Sequence, residues 1–366
     1  MLAGGAGTRF WPASRRAAPK PFVPLVGRRT LIGDTLARLR LLAPARRTTV
    51  VSAEELGAAT RAALRAQPAT RLLLEPVARN TAAAIAWAAA DALGRGAAGV
   101  IGIFPADHHI PDAPAFARAV KTAARAAADG ERLVLLGIEP SRPDTAYGYL
   151  RLAGRALTGR ARAGLARADA RADVRPVARF VEKPDLARAR RFVAHGGYLW
   201  NAGMVLARPE RILAETRALA PEVWDALGAT LERIAAGRAV PRRALARAYR
   251  AVRPLSFDYA VLERSRRVFA LRGRFAWSDL GSWDALGAQL PERDGNRIHS
   301  PVAPVLIDAR HNVVWSSTDE TIALLGVEGL LVIQTTDALL VCANQRAQDV
   351  RRVVDELARR DRGELL

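Results

Sequence analysis

Cysteine is nearly missing from this 366-residue chain: Cys342 is the only one. A single thiol excludes an internal disulfide and any cysteine-based zinc site, which fits a reducing, cytoplasmic setting. Lysine is almost as scarce, with Lys20, Lys121 and Lys183 the only three among 56 basic residues. The net charge of +20 would ordinarily point to nucleic acid. Here arginines scattered through alanine-rich stretches carry it, with 6% aromatic residues and no aromatic interleaving. That pattern reads as coding bias, and no nucleic-acid partner is expected. No hydrophobic run is long: Thr81 to Leu93 is broken by Asp91 and is too short to cross a bilayer. The N-terminus shows no basic region followed by an apolar core, so neither a signal peptide nor a membrane partner is expected. What remains is a composition of 50% apolar and 25% charged residues, that of a soluble globular protein with chain enough for about two domains.

The most informative stretch opens the chain. Ala3-Gly4-Gly5-Ala6-Gly7-Thr8-Arg9 is a glycine-rich turn, followed eleven residues after Arg9 by Lys20 ahead of Pro21. Such a turn lets the backbone approach a ligand closely and point consecutive N–H groups at phosphate oxygens. Arg9 and Lys20 add fixed and mobile positive charge on the same side. The spacing is neither G-x-G-x-x-G nor a P-loop. Only Met1 and Leu2 precede Ala3, and a central strand needs more, so an upstream extension of the natural chain is expected.

Short apolar runs alternate with Ala/Arg/Leu helices through residues 1–290. Thr49–Val51, Leu72–Leu74, Val100–Phe104 and Leu133–Leu136 read as buried strands; the helices run near Leu31–Leu42, Glu54–Ala66, Thr81–Leu93 and Phe116–Ala128. The alternation predicts an α/β, Rossmann-like, mostly parallel sheet covered on both faces. Ligands of such sheets sit beyond the carboxyl ends of the strands. Residues 154–173 look like a solvated loop. Residues 296–366 form a second, β-rich unit of short strands closed by a helix near Gln348–Leu357, with Cys342 in a buried strand. No repeat of 20–50 residues stands out.

Carboxylates and cations cluster at the predicted strand ends. Asp107, in Phe104-Pro-Ala-Asp107, ends a strand; Asp279 lies in Ala276-Trp-Ser-Asp279. Two oxygen ligands from distant segments, completed by phosphate oxygens and water, suit Mg²⁺. Asp107 alone could equally be a helix cap or a surface acid. His108 and His109 follow, but no further His or Cys lies at ligand spacing, so they are given no role. Glu182-Lys183 and Asn201, in Tyr198-Leu-Trp-Asn201, suit a sugar phosphate: Lys183 for the phosphate, Glu182 and Asn201 for hydroxyls. Tyr147-Gly148 adds a close backbone approach. Asn80, in Glu75-Pro-Val-Ala-Arg79-Asn80-Thr81, could cap the helix that follows. Asp258 reads equally as a substrate contact or a helix start.

Taken in order, these motifs resemble the sugar-nucleotide pyrophosphorylases. Phe10-Trp-Pro-Ala-Ser-Arg15 and Pro19-Lys-Pro-Phe22 look like their mannose-1-phosphate guanylyltransferase branch. The resemblance covers residues 3 to about 283. It implies GTP and mannose 1-phosphate as substrates, with Ala3, Gly4, Gly5, Gly7, Thr8, Arg9 and Lys20 on the nucleotide. Glu75, Arg79 and Asn80 would lie near the guanine. Tyr147, Gly148, Glu182, Lys183, Asn201 and Asp258 would serve the sugar phosphate, and Asp107 and Asp279 the magnesium. It also implies a tail forming part of a left-handed β-helix, and a homodimer is among the expectations. One departure stands out: Thr145-Ala146-Tyr147-Gly148-Tyr149 has Ala146 where the family usually has glycine. The alternatives left open are another sugar 1-phosphate or nucleotide, and a non-catalytic regulatory subunit of the same fold.

Overall fold

The computed structural model describes residues 1–5, 7–153 and 174–366; the loop expected at 154–173 lies outside them, as does Ala6. A three-stranded parallel sheet, ordered β1 (Leu2–Ala3), β2 (Thr49–Ala53) and β3 (Arg71–Glu75), forms one side of the first domain. The other side has the strands β4 (Ile101–Ile103), β5 (Leu133–Ile138), β6 (Tyr149–Leu152), β7 (Val174–Val181), β8 (Tyr198–Ala207) and β9 (Val268–Arg272), in the spatial order β4-β8-β5-β9-β7-β6. Short β1 is the seam between them. Leu2 donates its N–H to Phe104 O at 2.8 Å and accepts from Ala106 N at 2.9 Å, while Leu2 and Ala3 pair with Val51 and Ser52 on the other side.

The parallel part of the sheet comprises β1–β3, the β1 bridge to Pro105, and β5 with β9. Strand β8 runs against β4, β5 and β6, and β7 runs against β6 and β9. Directions therefore mix more than apolar runs alone convey. The reversal has a use: it brings the first residues of β8, including Asn201, to the edge where β5 ends, with Asn201 opposite Gly137.

Helices α1 (Leu31–Leu39), α2 (Gly57–Ala63), α3 (Asn80–Gly94), α4 (Ala113–Ala127), α5 (Leu186–His195), α6 (Pro209–Leu219), α7 (Pro221–Ala235) and α8 (Arg242–Ala251) cover the sheet. Both faces are buried. Leu133 and Leu135 enter a core shared with α3, α6, α7 and α8, whereas Val134 and Leu136 enter one shared with α1 and α4, as side chains alternating along a strand must. Helix α3 is buried nearly all round; its alanines let α6 and α7 approach closely. The acid that breaks its apolar run, Asp91, is buried and held by Arg71 at 2.7 Å and Arg95 at 3.0 Å.

After α9 (Trp283–Gly287) come β10 (Glu292–Arg293), β11 (Asn296–His299), β12 (Val305–Ile307), β13 (Val313–Ser316), β14 (Ala323–Leu325), β15 (Leu330–Gln334) and β16 (Leu339–Ala343), then α10 (Val350–Arg359). Strands β11, β13 and β15 stack in parallel, as do β12 and β14, with a parallel bridge from Arg310 to Glu328 between them. This is a short β-helix. Asparagines stack inside it: Asn312 Nδ2 donates to Asn296 Oδ1 at 2.9 Å, and Leu330 N donates to Asn312 Oδ1 at 2.9 Å. These partners are 16 and 18 residues apart, so the coil is shorter than the repeat lengths that a solenoid search covers. Strand β16 turns back antiparallel on β15, and Cys342 there is half-buried rather than enclosed.

The β-helix does not stand apart. Phe10, Trp11, Val23 and Leu25 of the glycine-turn segment share one core with Trp283, Trp315, Leu331, Ile333 and Val350. Trp283 Nε1 donates to Trp11 O at 3.0 Å and Trp315 Nε1 to Leu25 O at 3.1 Å. No helix among the described residues is long and apolar enough to cross a membrane.

Candidate active site

The carboxyl ends of β1 and β4 bring the opening turn and the Asp107 loop together, and the segment after β9 adds Asp279. A cavity of about 210 Å³ between them is lined by Gly5, Gly7, Arg9, Lys20, Asp107, His108, Asp279 and Gly281. Gly7 has φ 60, and a Cβ there would fall 2.5 Å from Lys20 Cβ, so only glycine lets the turn close over the lysine. Ala3 is buried in β1, Gly4 has space around it, and Thr8 starts the short helical turn that carries Arg9.

Lys20 is buried, at 6% exposure. Its ammonium donates to Asp107 Oδ2 at 2.7 Å and to the backbone carbonyl of Asp279 at 2.5 Å. Burial pushes the Asp107 carboxyl up, but Lys20 and the neighbouring histidine outweigh it and hold it below the usual aspartate value. The Asp279 carboxylate accepts at Oδ1 from Tyr147 OH at 2.8 Å and from Gly281 N at 2.9 Å. Leu280, beside it, sits in the left-handed region at φ 47. That conformation is costly for a branched residue, and complete burial of the Leu280 side chain in the core shared with the β-helix offsets it.

The remaining sugar-side residues form a second cluster joined to the first through Tyr147. Asn201 Nδ2 donates to Asp258 Oδ1 at 2.8 Å, and Asn201 N donates to Gly148 O at 2.8 Å. Asp258 opens the helical turn Asp258–Leu262, and its carboxylate accepts from Asn201 within the cluster. A Cβ on Gly148 would lie 2.5 Å from Glu182 Oε2, which explains the glycine. Ala146, the departure from the family pattern, needs no special backbone: its N–H donates to Asp144 Oδ1 at 2.9 Å, and it is not among the positive-φ residues. Glu182 is pushed up to about 7, chiefly by burial and next by the Asp258 charge. Lys183 has φ 44, a 56% exposed side chain and a 3.2 Å contact with Glu182, so its ammonium reaches solvent beside that carboxylate.

Glu75, Arg79 and Asn80 do not line the cavity. Arg79 donates to the carbonyls of Tyr249 and Arg250 at 3.0 Å each, tying its loop to α8. Asn80 is exposed at φ 63 and its Oδ1 accepts from the next residue's N–H; this is a local turn contact. Glu75 is buried beside Tyr249 and is pushed up to about 7 by burial.

His108, passed over in the sequence, is in the cavity wall. Its Nδ1 accepts from Trp277 Nε1 at 3.1 Å, and burial lowers its pKa to about 4. The ring is neutral, and with Nδ1 accepting, its proton is on Nε2. Its place next to Asp107 was the only signal that could have singled it out.

A cavity that sets two cations and two carboxylates at the strand ends of an α/β sheet, with a polar second cluster beside it, is the architecture of an enzyme that moves nucleotidyl groups. The chain belongs to the nucleotidyl transferase family, whose profile matches residues 1–292. Residues 303–357 match the MannoseP isomerase/GMP-like beta-helix domain. The alginate biosynthesis protein AlgA of Pseudomonas aeruginosa is 36% identical over the whole chain, which spans 73% of that protein. A Klebsiella pneumoniae protein named mannose-1-phosphate guanylyltransferase is 34% identical, with 100% of this chain and 74% of that protein covered. The crystal structure of a Thermus thermophilus protein, named a mannose-1-phosphate geranyltransferase, superposes with a TM-score of 0.85 at 35% identity over 98% of both chains.

Proposed function

We propose that this protein transfers GMP from GTP to α-mannose 1-phosphate, giving GDP-mannose and pyrophosphate. The observation that carries the reading is the pairing of two clusters through one hydrogen bond, Tyr147 OH to Asp279 Oδ1. One cluster suits a triphosphate and the other a phosphorylated sugar. The names of the Klebsiella and Pseudomonas relatives point the same way.

A phosphate monoester has its second pKa near ~6, so the attacking sugar-phosphate oxygen is already largely anionic at neutral pH. No general base is needed. The barrier is repulsion between two polyanions, and the chain lowers it by neutralising charge and fixing orientation. Arg9, Lys20 and the amides of the glycine turn hold the triphosphate; Lys183 holds the sugar phosphate. Glu182, poised near neutrality by its burial, can donate to or accept from a sugar hydroxyl, and Asn201 supplies a second polar contact. The sugar-phosphate oxygen then bonds to the α-phosphorus as the α–β bridging bond breaks, and pyrophosphate leaves in line.

Asp107 and Asp279 would hold Mg²⁺. Both residues line the cavity, and the Lys20 ammonium already rests against the Asp107 carboxylate and the Asp279 backbone carbonyl. No cluster of three or more His, Cys, Asp or Glu side chains suited to a metal occurs among the described residues. A pair of carboxylates is what a magnesium completed by phosphate oxygens and water needs. When bound, the ion supplies electrostatic stabilisation of the phosphate charge.

Pyrophosphate release across a panel of nucleotides and sugar 1-phosphates tests the reading. The GTP and mannose 1-phosphate pair should turn over fastest. A tenfold preference for UTP or dTTP would overturn the guanylyl assignment.

A further inference from the structure

Arg9 has one hydrogen-bond partner among the described residues, and it comes from the other domain. Its Nη1 donates to Gln348 Oε1 at 3.2 Å. The same amide uses its other end: Gln348 Nε2 donates to Ser282 Oγ at 2.8 Å, and Ser282 Oγ donates on to Asp284 Oδ1. The orientation of the amide is unambiguous, because a guanidinium has no acceptor and must face the oxygen. Gln348 stands in the short helical turn Asn344–Asp349, which is pinned by Ala347 and Val350, each 2% exposed, in the core shared by the β-helix and the glycine-turn segment. Ser282 is 1% exposed and lies three residues after Asp279. One side chain of the β-helix domain therefore bonds both to Arg9 in the cavity wall and to the segment that follows Asp279.

We propose that Gln348 is the positioning residue for Arg9 in nucleotide binding, and that the β-helix domain takes part in the reaction through it. The proposal rests on the assignment of Arg9 to the triphosphate. A long arginine side chain loses rotamer freedom when fixed, so a preset guanidinium binds an anion better than a roaming one. The holder must also be neutral. A carboxylate at this place would fix Arg9 and cancel its charge, whereas an amide oxygen fixes it and leaves the charge for phosphate. Gln348 meets both conditions.

The test compares Gln348→Ala, Gln348→Glu, Arg9→Ala and the Arg9→Ala/Gln348→Ala double variant in the full chain. GTP affinity is read by calorimetry without sugar phosphate, alongside steady-state KM for each substrate. Gln348→Ala should weaken GTP binding about threefold to tenfold, the scale of one partly exposed hydrogen bond, with KM for mannose 1-phosphate and the melting temperature unchanged. Gln348→Glu should also lose GTP affinity, and the loss should shrink with salt because it is a charge effect. In the Arg9→Ala background, removing Gln348 should change nothing further. Wild-type GTP affinity in Gln348→Ala, or a full additional loss in the double variant, overturns the proposal while leaving Arg9 assigned. Wild-type affinity in Arg9→Ala removes Arg9 from the triphosphate site and overturns both.

Discussion

Glu75→Gln should make the protein less sensitive to rising pH. Glu75 closes β3 at 8% exposure, and its Oε1 is buried without a hydrogen-bond partner. Burial lifts its pKa from 4.5 to about 7, against a smaller opposing effect of the Tyr249 hydroxyl. The native state thus keeps the proton longer than the unfolded chain does. The stability this lends is fully present below the unfolded value and is lost as pH rises through the folded one. Each pKa unit is worth about 1.4 kcal/mol, so ionising Glu75 in place costs roughly 3 kcal/mol by pH 8 and under about 1 kcal/mol at pH 5. Glutamine mimics the protonated acid and carries no such cost. Calorimetric melts of wild type and Glu75→Gln at pH 5 and pH 8 isolate the effect, since every other titrating group is common to both. The variant should gain about 2–3 kcal/mol on the wild type between the two pH values, a shift of several degrees in melting temperature. An unchanged gap would show that Glu75 is solvated or paired, and the reasoning from its burial would fail.

The remaining expectations concern catalysis. Asp107→Asn and Asp279→Asn should each lower turnover at least ~100-fold, as expected for losing one electrostatic element of a transition state. The double variant should be far from additive, and near-wild-type turnover in either single variant would move the metal elsewhere. Lys183→Ala should raise the KM for sugar phosphate and spare GTP binding, because its ammonium lies beside Glu182 and outside the cavity that holds Arg9 and Lys20; calorimetry showing lost GTP binding would refute that division. Gly148→Ala places a Cβ 2.5 Å from Glu182 Oε2 and 3.2 Å from the Phe180 ring, so the Glu182 carboxylate must shift from its place beside Lys183. The variant should weaken mannose 1-phosphate use more than GTP use, as measured by paired KM values.

Local pattern made much of the first domain legible. The apolar run at Leu133–Leu136 lies in a strand buried on both faces, and the alanine run after Asn80 forms a helix, because burial and period are written into neighbouring residues. Direction is not. The run from Tyr198 to Ala207 reads the same whether the strand lies parallel or reversed, and only tertiary pairing decides it. The β-helix coil escaped for a related reason: its recurring element is one asparagine facing inward per turn, at a spacing of 16 residues in one step, with little else repeated. In the site, charged residues adjacent to glycine turns and strand ends were visible. The partners of Arg79, the carbonyls ending α8, are 170 and 171 residues away, so no local pattern shows them. Gln348 was invisible on its own; it acquires meaning only where two domains meet.

The scarcity of lysine makes the protein its own reporter. An amine-acylating reagent followed by mass spectrometry has just three side-chain targets to distinguish. Lys121 is exposed on α4, is not among the residues lining the cavity, and serves as an internal clock for the reagent. The Lys183 side chain is 56% exposed beside Glu182, while that of Lys20 is 7% exposed and already engaged with Asp107. Labelling should therefore proceed at Lys121 and Lys183 long before Lys20, and whatever occupies the sugar-side cluster should slow Lys183 alone. Occupancy of each half of the site becomes a mass difference on a single named peptide, read without any turnover.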